Sequence, residues 1–266
     1  MSIYTVSKKG KRDQNEDNDT IFVNLNKSDP NLPQINIYGI YDGHGGKFVS
    51  KYLSKELPQY FLKKDLIYPL SSKYIKDTFR LVQDTLEKKY ENEADYCGST
   101  CLLVVDYKSE GKRYLDIMNL GDSRCVISKK NIGQTITKDH KPNWPDEKKR
   151  IQKMGGEIYY DGYDWRIGDL SVSRSFGDLD SKPYISCIPD VFRYKISHHD
   201  QFMIIGCDGL WDVVNAQDAT NFIVSHCYDL ESNRIIKKTN IAKMLAELAL
   251  QKGSTDNVSI IIVFFN

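Results

Sequence analysis

Residues 35–46 read INIYGIYDGHGG, an apolar run that closes on Asp42 and then breaks into glycines. A short stretch of Ile and Tyr, stopped by a turn dipeptide, reads as a buried strand with a carboxylate at its finish. The arrangement recurs along the chain. FMIIGCDG closes on Asp208 and YLDIMNLGD on Asp122, whereas Glu16 and Asp17 stand just before TIFVNL and Asp256 just before VSIIIVFF. In antiparallel neighbours the end of one strand lies beside the start of the next, so these acids can share one rim of a sheet.

Working outward from that stretch, strand patterns rich in Ile, Val, Tyr and Phe fall at 20–25, 35–41, 100–107, 113–120, 124–128, 202–207 and 258–264. Helical patterns come in two pairs, 46–61 with 72–90 and 216–228 with 240–252, and within 72–90 Ile75, Phe79, Val82 and Leu86 recur at helical spacing. A shorter helix is expected at 145–154, opened by Pro145 and closed by Gly155-Gly156. Strands and helices do not alternate one by one, which argues against a doubly wound parallel sheet. The expectation is an α+β fold of antiparallel sheets with helices packed outside. Residues 158–189, mixed in pattern and rich in Gly, Asp and Ser, read as a largely irregular flap beside the core.

Composition bounds the rest. In 266 residues, 40% hydrophobic and 27% charged, a large core is affordable and global disorder is excluded. Lys and Arg total 37 against 36 Asp and Glu, so no bulk charge draws the chain to nucleic acid or to a membrane surface. The polar N-terminus MSIYTVSKKGKRDQNED carries no apolar signal core, and no apolar run is long enough to span a bilayer. Six cysteines without a CxxC pair point to reduced, buried thiols rather than a disulfide framework, hence to the cytoplasm or nucleus. Nothing in the pattern bears on assembly, and a monomer is the default.

A single Asp-Gly is as often a plain turn as a ligand, and QNED alone is more often a solvated loop; five or six acids at corresponding strand ends alter those odds. Oxygen donors without His or Cys at zinc spacing point to Mg²⁺ or Mn²⁺. Two such ions about 3.5–4 Å apart hold a bridging water, lower its pKa and clamp phosphoryl oxygens, which suits the hydrolysis of a phosphate ester. Asp42 is the candidate bridge, and Gly43 can offer its carbonyl to a metal. His44, two residues on, is a candidate general acid for the departing oxygen. Arg12 can fork two hydrogen bonds onto a phosphate, although among Lys8, Lys9 and Lys11 it reads equally well as a surface arginine. His140, His198, His199 and His226 show no ligand spacing and read as surface or structural residues.

Eight motifs occur in order: RDQNED (12–17), YDGHGG (41–46), GST (98–100), NLGDSR (119–124), DHKP (139–142), LSVSRSFGD (170–178), CDGLWDV (207–213) and STDNVS (254–259). Together they resemble the type 2C family of metal-dependent protein serine/threonine phosphatases, over nearly the whole chain. The resemblance implies a sandwich of two antiparallel β-sheets with a pair of α-helices on each outer face, and one phosphatase catalytic domain over 1–266 with a flap at 151–182. It implies two cations, Mn²⁺ or Mg²⁺, bridged by Asp42 with the Gly43 carbonyl. Asp208 and Asp256 would hold one ion, Glu16 the other, and Asp17 would support the shell from behind. It further implies Arg12 on the phosphate, His44 protonating the leaving Ser or Thr oxygen, Asn257 orienting the last Asp loop, and Asp122 with Asp208 at a weaker third metal. The implied partners are phosphoprotein substrates, and the chain would be a bare catalytic core. In the flap, Asp161, Asp164 and Asp169 fall where such proteins vary, which leaves substrate preference open.

Two other readings are open to these residues. Cys187 and Arg193 have the spacing of a thiolate phosphate loop, but the intervening IPDVF has no Gly, contains Pro189 and sets Asp190 where the anion would sit. A phosphatase-like binding module without catalysis would be expected to lack one or more acids, and here Glu16, Asp17, Asp42, Asp208 and Asp256 are all present with Arg12 and His44.

Overall fold

The computed structural model describes residues 1–25, 34–63, 65–229 and 240–265, and every structural statement below concerns these. Two five-stranded sheets dominate. One runs in the order Ser2–Lys8, Val258–Phe264, Asp200–Gly206, Arg124–Lys129, Ile132–Thr135. The other runs Asp190–Lys195, Lys112–Leu120, Cys101–Ser109, Ile35–Tyr41, Asn18–Leu25. Every pairing within the two is antiparallel.

Alternation along the strands divides the apolar side chains between two faces. From one sheet Tyr38, Ile40, Leu102, Val104 and Ile117, and from the other Ile127, Met203, Ile205, Ile261 and Val263, meet in a fully buried layer between the sheets. On the outer face of the second sheet Ile37, Leu103 and Val105 pack with Val49 and Leu53 of the helix Phe48–Glu56 and with Ile75, Phe79 and Val82 of the helix Ser72–Lys89. On the outer face of the first, Ile204, Ile260 and Ile262 pack with Ile223 of the helix Ala216–Cys227 and Leu245 of Ile241–Gln251. The layers are helix, sheet, sheet, helix, as expected. Three of these helices start on a side-chain cap that satisfies an otherwise orphaned N–H: Ser71 accepts from Tyr74, Asn215 from Asp218 and Asn240 from Lys243.

The departures have local causes. The expected helix 46–61 is an α-helix that tightens into the 3₁₀ turn Leu57–Phe61 at Pro58, which has no N–H to continue the ladder. Three strands of the two large sheets were not expected: Ser2–Lys8, Ile132–Thr135 and Asp190–Lys195, and each lies at a sheet edge. Edge strands are half exposed, so their sequences alternate with polar residues and carry little apolar signal. Within 158–189 the pieces Tyr159–Tyr160 and Trp165–Arg166 form a small hairpin, while Ile151, Ile167 and Ile185 share a minor core. The end of that segment packs differently: Ser173, Ser175, Phe176 and Asp178 are buried, and Phe176–Gly177 pairs with Gly98–Ser99. Five cysteines are buried, Cys187 is partly so, and all six are free. No helix among the described residues is long and apolar enough to cross a membrane.

Ile117 sits in the layer between the sheets with no exposed surface. Ile117→Ala should cost about 2–5 kcal/mol through lost burial and the cavity left behind. The urea midpoint of unfolding checks it, and a change below about 0.5 kcal/mol would mean the layer collapses around the gap.

Candidate metal centre

Strand register brings the acids together. Asn18 pairs with Tyr41, so Asp17 and Asp42 stand side by side where one strand starts and its neighbour ends. In the other sheet Gly206 pairs with Ile260, and the Cys207 amide donates to the Ser259 carbonyl at 3.2 Å, which sets Asp208 beside the Asp256 loop. The rims face one another. Carboxylate oxygens of Asp42, Asp122 and Asp208 lie within 4.8 Å of each other, and those of Asp17 and Asp42 are as close to each other and to the Cys207 sulfur. Glu16, Asp42, Asp122, Asp208 and Asp256 line one cleft of about 560 Å³, together with Arg12, Gly43 and His44.

Backbone contacts fix these positions. The Asp42 amide donates to the Thr100 hydroxyl at 3.3 Å and the Thr100 amide to the Asp42 carbonyl at 2.9 Å, which gives the GST motif its place. Asn257 clasps the far end of the chain to its beginning. Its side-chain amide donates to the carbonyls of Lys9 at 2.7 Å and Gln14 at 3.0 Å, and its oxygen accepts from the Glu16 amide at 2.8 Å. Gly43 has no room for a side chain, because a Cβ there would come 2.4 Å from the Glu16 carbonyl oxygen.

Electrostatically the cluster is unsatisfied. Two carboxylates within 4.8 Å of each other repel by at least about 3 kcal/mol at an effective dielectric near 20. Burial, then the neighbouring charges of Asp208, Asp17 and Asp122, drives the Asp42 pKa far above the ordinary carboxylate range. Burial, followed by Asp122 and Asp212, does the same at Asp208. Asp17 is pushed up to about 6, chiefly by burial, and neither of its oxygens has a hydrogen-bond partner. Hard oxygens, buried and short of positive charge, are what a divalent cation needs. Cys207 stands beside them as a softer donor. Burial, then Asp17 and Asp42, raises its thiol pKa well above normal, and its sulfur approaches the Asn257 carbonyl at 3.4 Å.

Several contacts were not foreseen. The Lys141 ammonium, from DHKP, lies 2.5 Å from an Asp122 oxygen and 3.6 Å from Asp164. Burial opposes the charge on Lys141, but Asp122 outweighs it and the lysine pKa rises. The Arg12 guanidinium contacts Asp256 at 2.6 Å, which sets it over the rim rather than among the neighbouring lysines. The His44 Nε2 lies 2.9 Å from both oxygens of Asp178, a residue quoted within LSVSRSFGD but given no role. An acid outside the strand ends leaves no signal in strand patterning, and only its partner reveals it. His140 is buried and accepts from the Gly121 amide at 3.0 Å, a structural contact.

The thiolate alternative fails on geometry. Arg193 forks onto Asp116 at 2.6 and 2.9 Å from within the strand Asp190–Lys195, and burial raises the Cys187 pKa.

A sequence profile described as protein phosphatase 2C matches residues 3–258. The chain belongs to the protein phosphatase 2C family. Phosphatases of this family depend on metal, which agrees with the donor set on the rim. A PP2C-like domain-containing protein of Acanthamoeba polyphaga mimivirus is 43% identical over 176 residues, 59% of this chain and 98% of that protein. A probable protein phosphatase 2C of Oryza sativa subsp. japonica is 34% identical over 269 residues; the match covers 100% of this chain and 66% of the rice protein. Among solved structures, a serine-threonine phosphatase 2C from Toxoplasma gondii superimposes with a TM-score of 0.77 at 25% identity, over 99% of this chain and 94% of that one. A C. elegans sex determining protein gives 0.86 at 24% identity, over 100% of this chain and 65% of that one, and speaks for the fold alone.

The raised Asp17 pKa carries a sign. Between the ordinary value of 3.8 and about 6 the folded chain keeps a proton that the unfolded chain has released. Below that window the group costs no stability, and above it the burial penalty is fully present. In chelator, therefore, Asp17→Asn should raise the melting temperature more at about pH 7.5 than at about pH 5. Mg²⁺ or Mn²⁺ should shrink that advantage at the higher pH. Calorimetry of both proteins checks it, and an advantage independent of pH would refute it.

Proposed function

We propose that this chain hydrolyses phosphoserine and phosphothreonine in other proteins, with two divalent cations, Mn²⁺ or Mg²⁺, seated in the carboxylate rim. The observation that carries the reading is the convergence of Asp17, Asp42 and Asp208, buried and short of positive charge, on a cleft shared with Arg12 and His44. Asp42 would stand between the ions with the Gly43 carbonyl, Asp208 and Asp256 on one side and Glu16 on the other, and Asp17 behind. Asp122 and Asp208 would make a weaker third site. When bound, the ions neutralise the rim, acidify water and relieve charge on the phosphoryl group.

The chain's own residues supply the rest. Arg12 already reaches an anionic oxygen on Asp256, and a phosphoryl group entering the cleft offers the same guanidinium two acceptors. His44 lines the cleft and can give a proton to the departing Ser or Thr oxygen. Arg166, Asp169 and Leu170 bring residues of the 151–182 flap to the cleft wall, where a protein substrate would meet them. We take 1–266 as one catalytic unit acting as a monomer, and its free thiols suit a reducing compartment inside the cell. The complete acid set favours catalysis over a binding module that has lost it.

Purified protein with Mn²⁺ or Mg²⁺ should release phosphate from a phosphothreonine peptide, and Asp208→Ala should abolish release while the chain stays folded. Unchanged turnover in that variant would remove Asp208 from the mechanism. Arg12→Ala should raise KM more than it lowers kcat, since the guanidinium binds ground and transition states alike. A pure turnover defect would contradict that role.

A further inference from the structure

His44 and Asp178 are 134 residues apart in sequence and meet through a miniature sheet. Gly43–His44 pairs with Gly98–Ser99, which pairs in turn with Phe176–Gly177. In that register His44 stands opposite Gly98, and Gly98 opposite Gly177, so the residue after Gly177 faces the imidazole across the central strand. Gly98 leaves the space that Asp178 fills, because a Cβ there would lie 2.2 Å from Asp178 Oδ2. The pair is braced from outside as well. Gln83 donates to the Gly177 carbonyl at 2.9 Å and accepts from its amide at 3.0 Å, and the Asp178 amide donates to the Cys97 carbonyl at 3.2 Å. The Ser175 hydroxyl donates to Asp178 Oδ2.

A carboxylate that receives the Ser175 proton is an acceptor, so the contact with the ring is Nε2–H donating to Asp178. Both Asp178 oxygens lie 2.9 Å from Nε2, and the Asp178 side chain is 2% exposed against 29% for His44. The remaining ring nitrogen is Nδ1, on a residue that lines the cleft.

We propose that Asp178 is a positioning residue that holds His44 by Nε2–H, so that Nδ1 is the nitrogen that hands its proton to the leaving oxygen. The inference rests on the phosphatase reading and deepens it. In the step, water oxygen bonds to phosphorus as the bond from phosphorus to the seryl or threonyl oxygen breaks, and both protons of that water leave with the phosphate product. That oxygen takes the proton from Nδ1, and the N–H electron pair stays on the ring. The imidazole is left neutral, with Nε2–H still on Asp178, and regains a proton from solvent. An aryl phosphate leaves as a stable phenolate and needs no such proton.

The test is a split between substrates. Asp178→Asn should cut kcat on a phosphothreonine peptide on the order of 10²-fold, and on 4-nitrophenyl phosphate by less than about 3-fold. Asn suits the site sterically, because residue 178 sits at φ +49, in the left-handed region that Asn tolerates. Gly98→Ala, which crowds Asp178 without altering it, should give the same split and carries the test if Asp178→Asn does not fold. The double variant His44→Ala with Asp178→Asn should be no slower on the peptide than His44→Ala alone, because the two residues act as a unit. With Mg²⁺ bound, imidazole ¹H–¹⁵N correlations should place the proton of neutral His44 on Nε2. Equal losses on both substrates, multiplying losses in the double variant, or a neutral ring protonated at Nδ1 alone would each overturn the inference. A wild-type chain inert on both substrates would instead overturn the phosphatase reading itself.

Discussion

Carboxylates brought within 4.8 Å of one another are held in this protein against their own repulsion. The force that holds them is remote from them. Three apolar layers, one between the sheets and one under each helix pair, fix the strands in register, and the register alone decides which residues end at the rim. A slip of one residue in a central strand would exchange the side chains of the layer between the sheets with those of the layer under the helices, so the positions of the acids are as firm as the packing of both layers. Repulsion is then a stored demand for positive charge. Lys141 meets part of it at Asp122 and Arg12 part of it at Asp256, while Asp17 and Asp42 keep theirs.

The division between ions and protein follows from that demand. Side chains of the rim carry charge, whereas in the proposed mechanism Arg12, His44 and Asp178 would form a second group that meets the substrate or orients what meets it. The two groups are built on different supports. Asp42, Asp122, Asp208 and Asp256 stand at the ends of central strands, and Glu16 and Asp17 just before the edge strand Asn18–Leu25; His44 and Asp178 stand on a three-stranded patch of two-residue pieces packed beside the helix that carries Gln83.

Much of this was legible in the amino-acid order because it depends on local pattern. The central strands are buried on both faces and read as unbroken apolar runs, and the carboxylates that close them stand out against that background. Ser71, Asn215 and Asn240 mark helix starts by a chemistry that needs no tertiary context. Edge strands such as Ser2–Lys8 were not legible, since half of each is in water and its residues alternate accordingly. Nor were the partners Lys141 and Asp178. Each is defined by a contact, 19 residues away in one case and 134 in the other, and neither distance leaves a period or a composition to read. The Arg12 position was ambiguous in sequence for the same reason, and its contact with Asp256, 244 residues on, resolves it.

The Asn257 clasp has a bearing on biosynthesis. Lys9, Gln14 and Glu16 leave the ribosome 248, 243 and 241 residues before the side chain that ties them down. The strand Ser2–Lys8 likewise finds its hydrogen-bonding neighbour only in Val258–Phe264. Until Asn257 is made, the loop that carries Glu16 lacks that tie to the first sheet. A chain synthesised only as far as the helix Ile241–Gln251 therefore lacks both ties, and contacts of such long range form late in folding.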